Sequence, residues 1–242
     1  MNKNLIHDRF AKNLKSYDEN AKIQKRMAER LITFVQNKQP KKILEIGCGT
    51  GFLTETINKG VNFESYKAID IVEECENYIS KINSQIKFIK ADVEDFIKTN
   101  NEKFDLIISN ATLQWVEDFE GVINNLKNFL NPEGELVIST FGNENFRELY
   151  HVIGKGLKYY SVSELNHLFP NCIIEPEIHV MAFNTPKDVL KHLQLTGVNA
   201  IENIHWTKKD LLKFENGYKN LCSKRPTLTY NPIYIKFLSP NG

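Results

Sequence analysis

The run Glu45-Ile46-Gly47-Cys48-Gly49-Thr50-Gly51 holds the residues whose types and spacing could first do chemistry. Glycine lacks the Cβ that keeps a ligand away from the backbone. A glycine-rich turn therefore lets main-chain N–H groups and the start of a following helix meet a polar small molecule. The third glycine comes one residue earlier than in the usual dinucleotide fingerprint, which favours a nucleoside ligand without a pyrophosphate. Two acids extend the pattern. Asp70 stands 19 residues after Gly51, where a carboxylate can accept both ribose hydroxyl protons. Asp92, beside apolar Val93, is placed to meet an adenine amino group. Either acid alone is equally a helix or turn cap, but the three signals at successive strand ends describe a ligand crevice.

These residues need elements to position them. Residues 42–46, 66–70, 86–90, 104–108 and 135–140 are short apolar runs of strand length, and helical stretches separate them at 52–58, up to residue 82, and at about 122–130. Such alternation implies a parallel sheet covered on both faces. Past Phe141 the rhythm breaks: 146–154 and 161–169 read as short helices, 173–183 as a strand, and 186–195 and 208–221 as helices. Residues 228–237 alternate as a closing strand in which Pro232 marks a bulge or a protected edge. Ahead of the sheet, residues 5–37 carry Ile23, Met27, Leu31 and Val35 at helical spacing, a basic amphipathic arm that Pro40 ends.

A chain of 242 residues can bury one α/β core with an appended insert. We expect a helical arm or lid over 1–40 and a catalytic domain over 41–242, with a helical substrate cap inserted at 143–225. No apolar run approaches the roughly 20 residues that span a bilayer, and the N-terminus turns polar too early for a signal peptide, so a cytoplasmic protein is expected. Cys48, Cys75, Cys172 and Cys222 lie far apart with no zinc-ligand spacing, so free thiols and no metal are expected. Cys48 has no local base to make it a nucleophile. The net charge of +1 divides unevenly: residues 1–42 carry +7, 43–184 carry −11 and 185–242 carry +5. Basic flanks around an acidic centre suit an acidic macromolecular partner or are solvated helix faces.

Residues 41–140 resemble the class I methyltransferases, whose first motif has the form E/D-x-G-x-G-x-G, with acids after the second and third strands. The resemblance implies a Rossmann-like, seven-stranded, mostly parallel sheet and S-adenosylmethionine as methyl donor. It would give Glu45 the methionine amino group, pack Gly47, Gly49 and Gly51 against the cofactor, give Asp70 the ribose with Ile71 beside it, and give Asp92 and Val93 the adenine. Asn110 to Trp115 would sit where methyl donor faces substrate; Trp115 is either a substrate contact or a helix-packing aromatic. Residues 71–78 lack the serine and methionine often found after the ribose acid.

Three outer segments are similar to the malonyl-acyl-carrier-protein O-methyltransferase family of biotin synthesis. They are Arg9-Phe10-Ala11 with Ser16-Tyr17-Asp18 and Ala21 through Gln24; Ser139 to Gly142 with Asn145 to Leu149; and Leu195-Thr196-Gly197-Val198-Asn199-Ala200 with Leu228-Thr229-Tyr230. This implies methyl transfer to the ionised carboxylate of a malonyl thioester, which needs alignment but no general base. Arg147 is then a candidate carboxylate clamp, Tyr17 and Tyr230 candidate orienting hydroxyls, and Trp115, Phe141 and Asn199 substrate contacts. An acidic acyl carrier protein would dock on Lys12, Lys15, Lys22, Lys25, Arg26, Lys187, Lys191, Lys208 and Lys209. Other readings stay open: a methyltransferase of quinone-precursor or aconitate type, or a non-catalytic module that binds S-adenosylmethionine. Nucleic-acid methylation is not expected, because Asn110-Ala111-Thr112-Leu113 stands where an Asn-Pro-Pro-Tyr type of motif would draw in a flipped base.

Overall fold

The computed structural model describes residues 3–154, 156–196, 207–222 and 225–240. Two helices, α1 (Lys3–Asn20) and α2 (Lys22–Leu31), precede β1 (Lys42–Ile46), α3 (Phe52–Gly60), β2 (Ser65–Asp70), α4 (Glu76–Ile82), β3 (Ile86–Lys90) and α5 (Val93–Thr99). Then come β4 (Phe104–Asn110), α6 (Phe119–Asn128), β5 (Leu130–Phe141), α7 (Arg147–Ile153) and α8 (Val162–Leu168). The chain ends with β6 (Ile173–Pro176), β7 (His179–Ala182), α9 (Pro186–Leu195), α10 (Lys208–Leu221), β8 (Thr227–Tyr230) and β9 (Pro232–Leu238).

Seven strands form one sheet in the order β3-β2-β1-β4-β5-β9-β6, and β7 and β8 form a second, two-stranded sheet. The first five strands pair in parallel, while β9 runs antiparallel to both β5 and β6. Side chains alternate between the faces of a strand. Ile43, Leu106, Ile108 and Val137 accordingly pack with α2, α3 and α4, whereas Leu44, Ile46, Ile107, Leu136 and Ile138 pack with α5, α6 and α8. The strand order reverses between β1 and β4, and ligands of open α/β sheets bind at the carboxyl ends of strands at such a switch point.

The expected stripe Ile23, Met27, Leu31 and Val35 is buried, but the arm is two helices rather than one. The chain breaks at Ala21 and leaves helical geometry at Val35, well before Pro40. The reason is tertiary: the N–H groups of Gln36 and Asn37 donate to the buried carboxylate of Glu135 on β5, at 3.0 and 3.2 Å.

The expected strands at 173–183 and 228–237 are each split in two. Their pairing does not slip across the break, since Pro176 faces Ile233 and His179 faces Tyr230, but the ladder bends from the large sheet into the small one. Asn231 holds the bend. Its N–H donates to Asn145 Oδ1 at 3.2 Å, its Nδ2 donates to Glu177 O at 2.9 Å, and its carbonyl accepts from Gly142 N at 2.8 Å. Pro232, which has no N–H, opens β9 where no ladder donor is needed.

Candidate functional site

Above the ends of β1, β2 and β4 lies a cleft that encloses about 1230 Å³ of empty space, part of it open to solvent. Gly47, Gly49, Asp70, Ile71, Asp92, Val93, Asn110 and Trp115 all line it, and α1 roofs it with Ile6, Phe10, Leu14 and Tyr17. The glycine turn is held by Gly47 N and Cys48 N, which both donate to Ile69 O, at 2.8 and 3.2 Å. Gly47 has φ +71°, and a Cβ there would lie 2.1 Å from Thr112 Oγ1, so glycine is required twice over. At Gly49 a Cβ would meet nothing within 4 Å.

Glu45 shares its strand face with Ile43, beneath α3. One oxygen of its buried carboxylate accepts from Thr54 at 2.7 Å and from Tyr66 at 2.5 Å. The other, Oε1, is buried without a partner. Burial pushes this carboxyl up to about 7, against the two hydroxyls, with a further push from nearby Asp70. Asp70 accepts from Gly49 N and Val72 N, both at 2.9 Å. Burial raises its carboxyl, opposed by the backbone donors of Val72, Gly49 and Ile71. Asp92 caps α5 by accepting from Glu94 N at 2.8 Å, so the capping role is real, and its other oxygen meets Lys3 of α1 at 2.6 Å. Burial raises the Cys48 thiol well above its usual range, which keeps it protonated.

The loop after β4 joins cleft and arm. Asn110 donates to Gln24 O of α2 at 2.9 Å and accepts from Ser139 at 2.7 Å. Ala111, at φ +50°, donates to Ser139 O at 3.0 Å. Trp115 is both a cleft wall and a packing aromatic: its ring meets Phe10 edge-on at 5.8 Å. Thr50 donates to Asp18 at 2.6 Å, tying α1 to the glycine turn. A small chamber opens beside the cleft; among the described residues it is lined by Phe10, Tyr17, Gln24, Ala111, Gln114, Trp115, Phe141, Tyr159 and Thr196, none of them charged.

The structure brings Tyr17 and Phe141 to that chamber. Tyr230 lies fully buried behind it, its ring 6.0 Å from Phe141 and its hydroxyl 2.7 Å from His192 Nε2. Burial and the charge of Lys22 hold His192 below the ordinary imidazole range, so a neutral ring faces the phenol. Arg147, expected to clamp the substrate, is more than half exposed and pairs with Glu144 at 3.1 Å; it lines neither cleft nor chamber. Asn199 and most of the 195–200 run lie outside the described residues; Thr196 is buried and donates to His192 O at 3.0 Å. Thr54, Tyr66, Tyr159 and His192 border or support the site without any local sequence signal, because each is recruited across the fold, whereas Gln24 and Gln114 fall in segments that carried the family resemblance.

What the strand ends gather fits a ligand built of an amino acid, a ribose and a base: an unpartnered buried carboxylate for an ammonium, open space at Gly49 for close approach, and Asp70 and Asp92 further along. The class follows as a Rossmann-like methyltransferase that uses S-adenosylmethionine. A family described as a methyltransferase domain matches residues 17–172. A malonyl-[acyl-carrier protein] O-methyltransferase of Calditerrivibrio nitroreducens is 39% identical over 227 residues, covering 90% of each chain. One of Chlorobium luteolum is 32% identical over 248 residues, 96% of this chain and 94% of that one. The solved N-methyltransferase NodS of Bradyrhizobium japonicum, in complex with S-adenosyl-L-homocysteine, shares the fold with a TM-score of 0.55 at 16% identity, over 98% of this chain and 99% of its own. The chain belongs to the malonyl-[acyl-carrier protein] O-methyltransferase family. Among the described residues no cluster of His, Cys, Asp or Glu could hold a metal ion, and no helix is long and apolar enough to cross a membrane.

Proposed function

We propose that this protein methylates the free carboxylate of a malonyl thioester presented by an acyl carrier protein in the cytoplasm, giving the ester that primes pimeloyl synthesis for biotin. The observation that carries the reading is a chamber whose described lining residues are all uncharged, joined to the cofactor cleft through Phe10, Tyr17, Gln24, Ala111 and Trp115. S-adenosylmethionine, when bound, supplies a sulfonium methyl group whose S–C bond breaks as a carboxylate oxygen forms the new O–C bond, leaving a thioether and a neutral ester. Opposite charges are thus consumed, so a site that excludes water and holds the carboxylate with neutral donors favours the reaction over one that grips it with a cation.

The side chains supply such donors. Burial, with the negative charges of Asp18 and Asp70, raises the Tyr17 phenol and keeps it protonated, able to donate to a carboxylate oxygen. Burial does the same for Tyr159. Tyr230 and His192 support the chamber from behind, and Glu45, Asp70 and Asp92 are assigned to the cofactor's ammonium, ribose and adenine. The carboxylate has no need of a base, being ionised at neutral pH.

Mass spectrometry of malonyl-coenzyme A or malonyl-carrier protein after incubation with enzyme and S-adenosylmethionine tests this. One added, esterase-sensitive methyl group is expected; methylation of aconitate or a quinone precursor in its place, or no turnover, would remove the reading. In the same assay Tyr17→Phe is expected to lose on the order of tenfold to a hundredfold in turnover while still binding cofactor. Arg147→Ala is expected to stay within about threefold, since its guanidinium lies outside the chamber; a loss as large as that of Tyr17→Phe would return it to the site.

A further inference from the structure

A second cavity adjoins the chamber and, among the described residues, shares Val116 alone with the cofactor cleft. It shares Gln114, Phe141 and Tyr159 with the chamber, and Leu157, Thr140 and Tyr160 complete its deeper wall. Glu117 and Lys158, both exposed, mark where it meets solvent. The chamber thus borders both the cleft and the second cavity, with Gln114, Phe141 and Tyr159 on the side of the latter.

Gln114 stands between the last two. Its Nε2 donates to Ala111 O at 2.6 Å, which fixes the amide, while its Oε1 is buried with no hydrogen-bond partner. A buried acceptor left unmade is costly, so this oxygen calls for an N–H or O–H brought by something else. The substrate's carboxylate is an acceptor only and cannot supply it.

We propose that the second cavity holds the arm of the acyl thioester and that Gln114 Oε1 accepts a hydrogen bond from the first amide N–H of that arm. This rests on the malonyl thioester reading. With the carboxylate in the chamber facing the cofactor, the rest of the acceptor must extend away from the cleft, which leads past Gln114. A pantetheine thioester carries an amide N–H a short ethylene spacer beyond its sulfur, so its first donor follows the malonyl group directly. Gln114 is thus a specificity residue: it distinguishes a thioester with a pantetheine-like amide from one with a plain alkyl chain.

The test compares the malonyl thioester of N-acetylcysteamine with S-pentyl malonyl thioester, of similar length but without the amide. The wild-type enzyme is expected to favour the first in kcat/KM by about tenfold, the usual scale for one hydrogen bond to an otherwise unpaired buried group. Gln114→Leu and Gln114→Met are expected to abolish that preference, so that the ratio of kcat/KM for the two thioesters falls to about one whatever the absolute rates become. Cofactor affinity, measured on the same variants, reports whether the loop after β4 stays intact. No preference in the wild-type enzyme, or equal losses on both thioesters in the variants, would overturn the inference and leave the malonyl reading standing. If the wild-type enzyme methylates neither thioester, the malonyl reading fails first and this inference with it.

Discussion

Glu45 is the buried group proposed to pair with the cofactor's ammonium. One oxygen of its carboxylate is used by Thr54 and Tyr66, and the other is buried without a hydrogen-bond partner. With burial pushing the carboxyl up to about 7, pairing with an ammonium is expected to make cofactor binding depend on pH. Above about 7 the free protein already carries the negative charge; below it, a proton must leave before an ammonium can be paired. Affinity for S-adenosylmethionine should therefore weaken as pH falls from about 7.5 to 5.5, by up to roughly tenfold per pH unit. Glu45→Gln should bind more weakly at pH 7.5 and lose the slope. Titration calorimetry across this range checks it, and a flat wild-type profile would take Glu45 out of ammonium binding. Gly47 makes a complementary point. Its spacing is plain in the sequence, whereas the closeness of Thr112, which forbids any side chain there, comes from a loop 65 residues away.

At the scale of elements, the arm, β5 and β9 are joined by a buried ion pair. Glu135 and Lys236 lie 2.9 Å apart with almost no exposure; the carboxylate also takes the Gln36 and Asn37 N–H groups, and Lys236 donates to Phe34 O at 2.8 Å. This cluster is where the arm stops being helical and turns toward β1. Removing one partner strands the other charge in the core, so Glu135→Ala should cost about 3–5 kcal/mol of stability by chemical denaturation. The double change Glu135→Leu with Lys236→Met should recover most of that loss. A single variant within about 1 kcal/mol of wild type would show that the pair is not desolvated in solution.

Across the whole molecule, the basic flanks that lie at opposite ends of the chain converge. Helix α1 packs against α9, and α9 against α10, while Lys12, Lys15, Lys22, Lys191, Lys208 and Lys209 are exposed. Lys187 pairs with Glu215 at 3.2 Å. That convergence supports docking of an acidic carrier near the arm that roofs the cofactor cleft. The apparent KM for malonyl-carrier protein is expected to rise by roughly tenfold between about 0.05 and 0.5 M salt, while that for the malonyl thioester of N-acetylcysteamine stays flat. Equal salt sensitivity for both would remove the docking face.

Much of the parallel half of the fold was legible because its rules are local. Five short apolar runs, the glycines between the first of them and a helix, and acids at fixed distances are set by side-chain size and backbone freedom within a few residues. The helices at 186–195 and 208–221 were legible for the same reason, since capping boxes at Thr185 and Thr207 start them. The acceptor half was not. Whether Arg147 faces a substrate or Glu144, whether Tyr230 bonds to His192, and where 173–183 and 228–237 bend depend on partners tens of residues away. Glycine spacing and strand alternation thus determined, from the sequence alone, a nucleoside-binding crevice and the parallel sheet that presents it, and the resemblance to class I methyltransferases implied the methyl donor. The chamber beside the cleft, the unpartnered oxygens of Glu45 and Gln114, and the roof formed by α1 were decided only by tertiary packing, because burial and hydrogen-bond deficit exist only once distant segments meet.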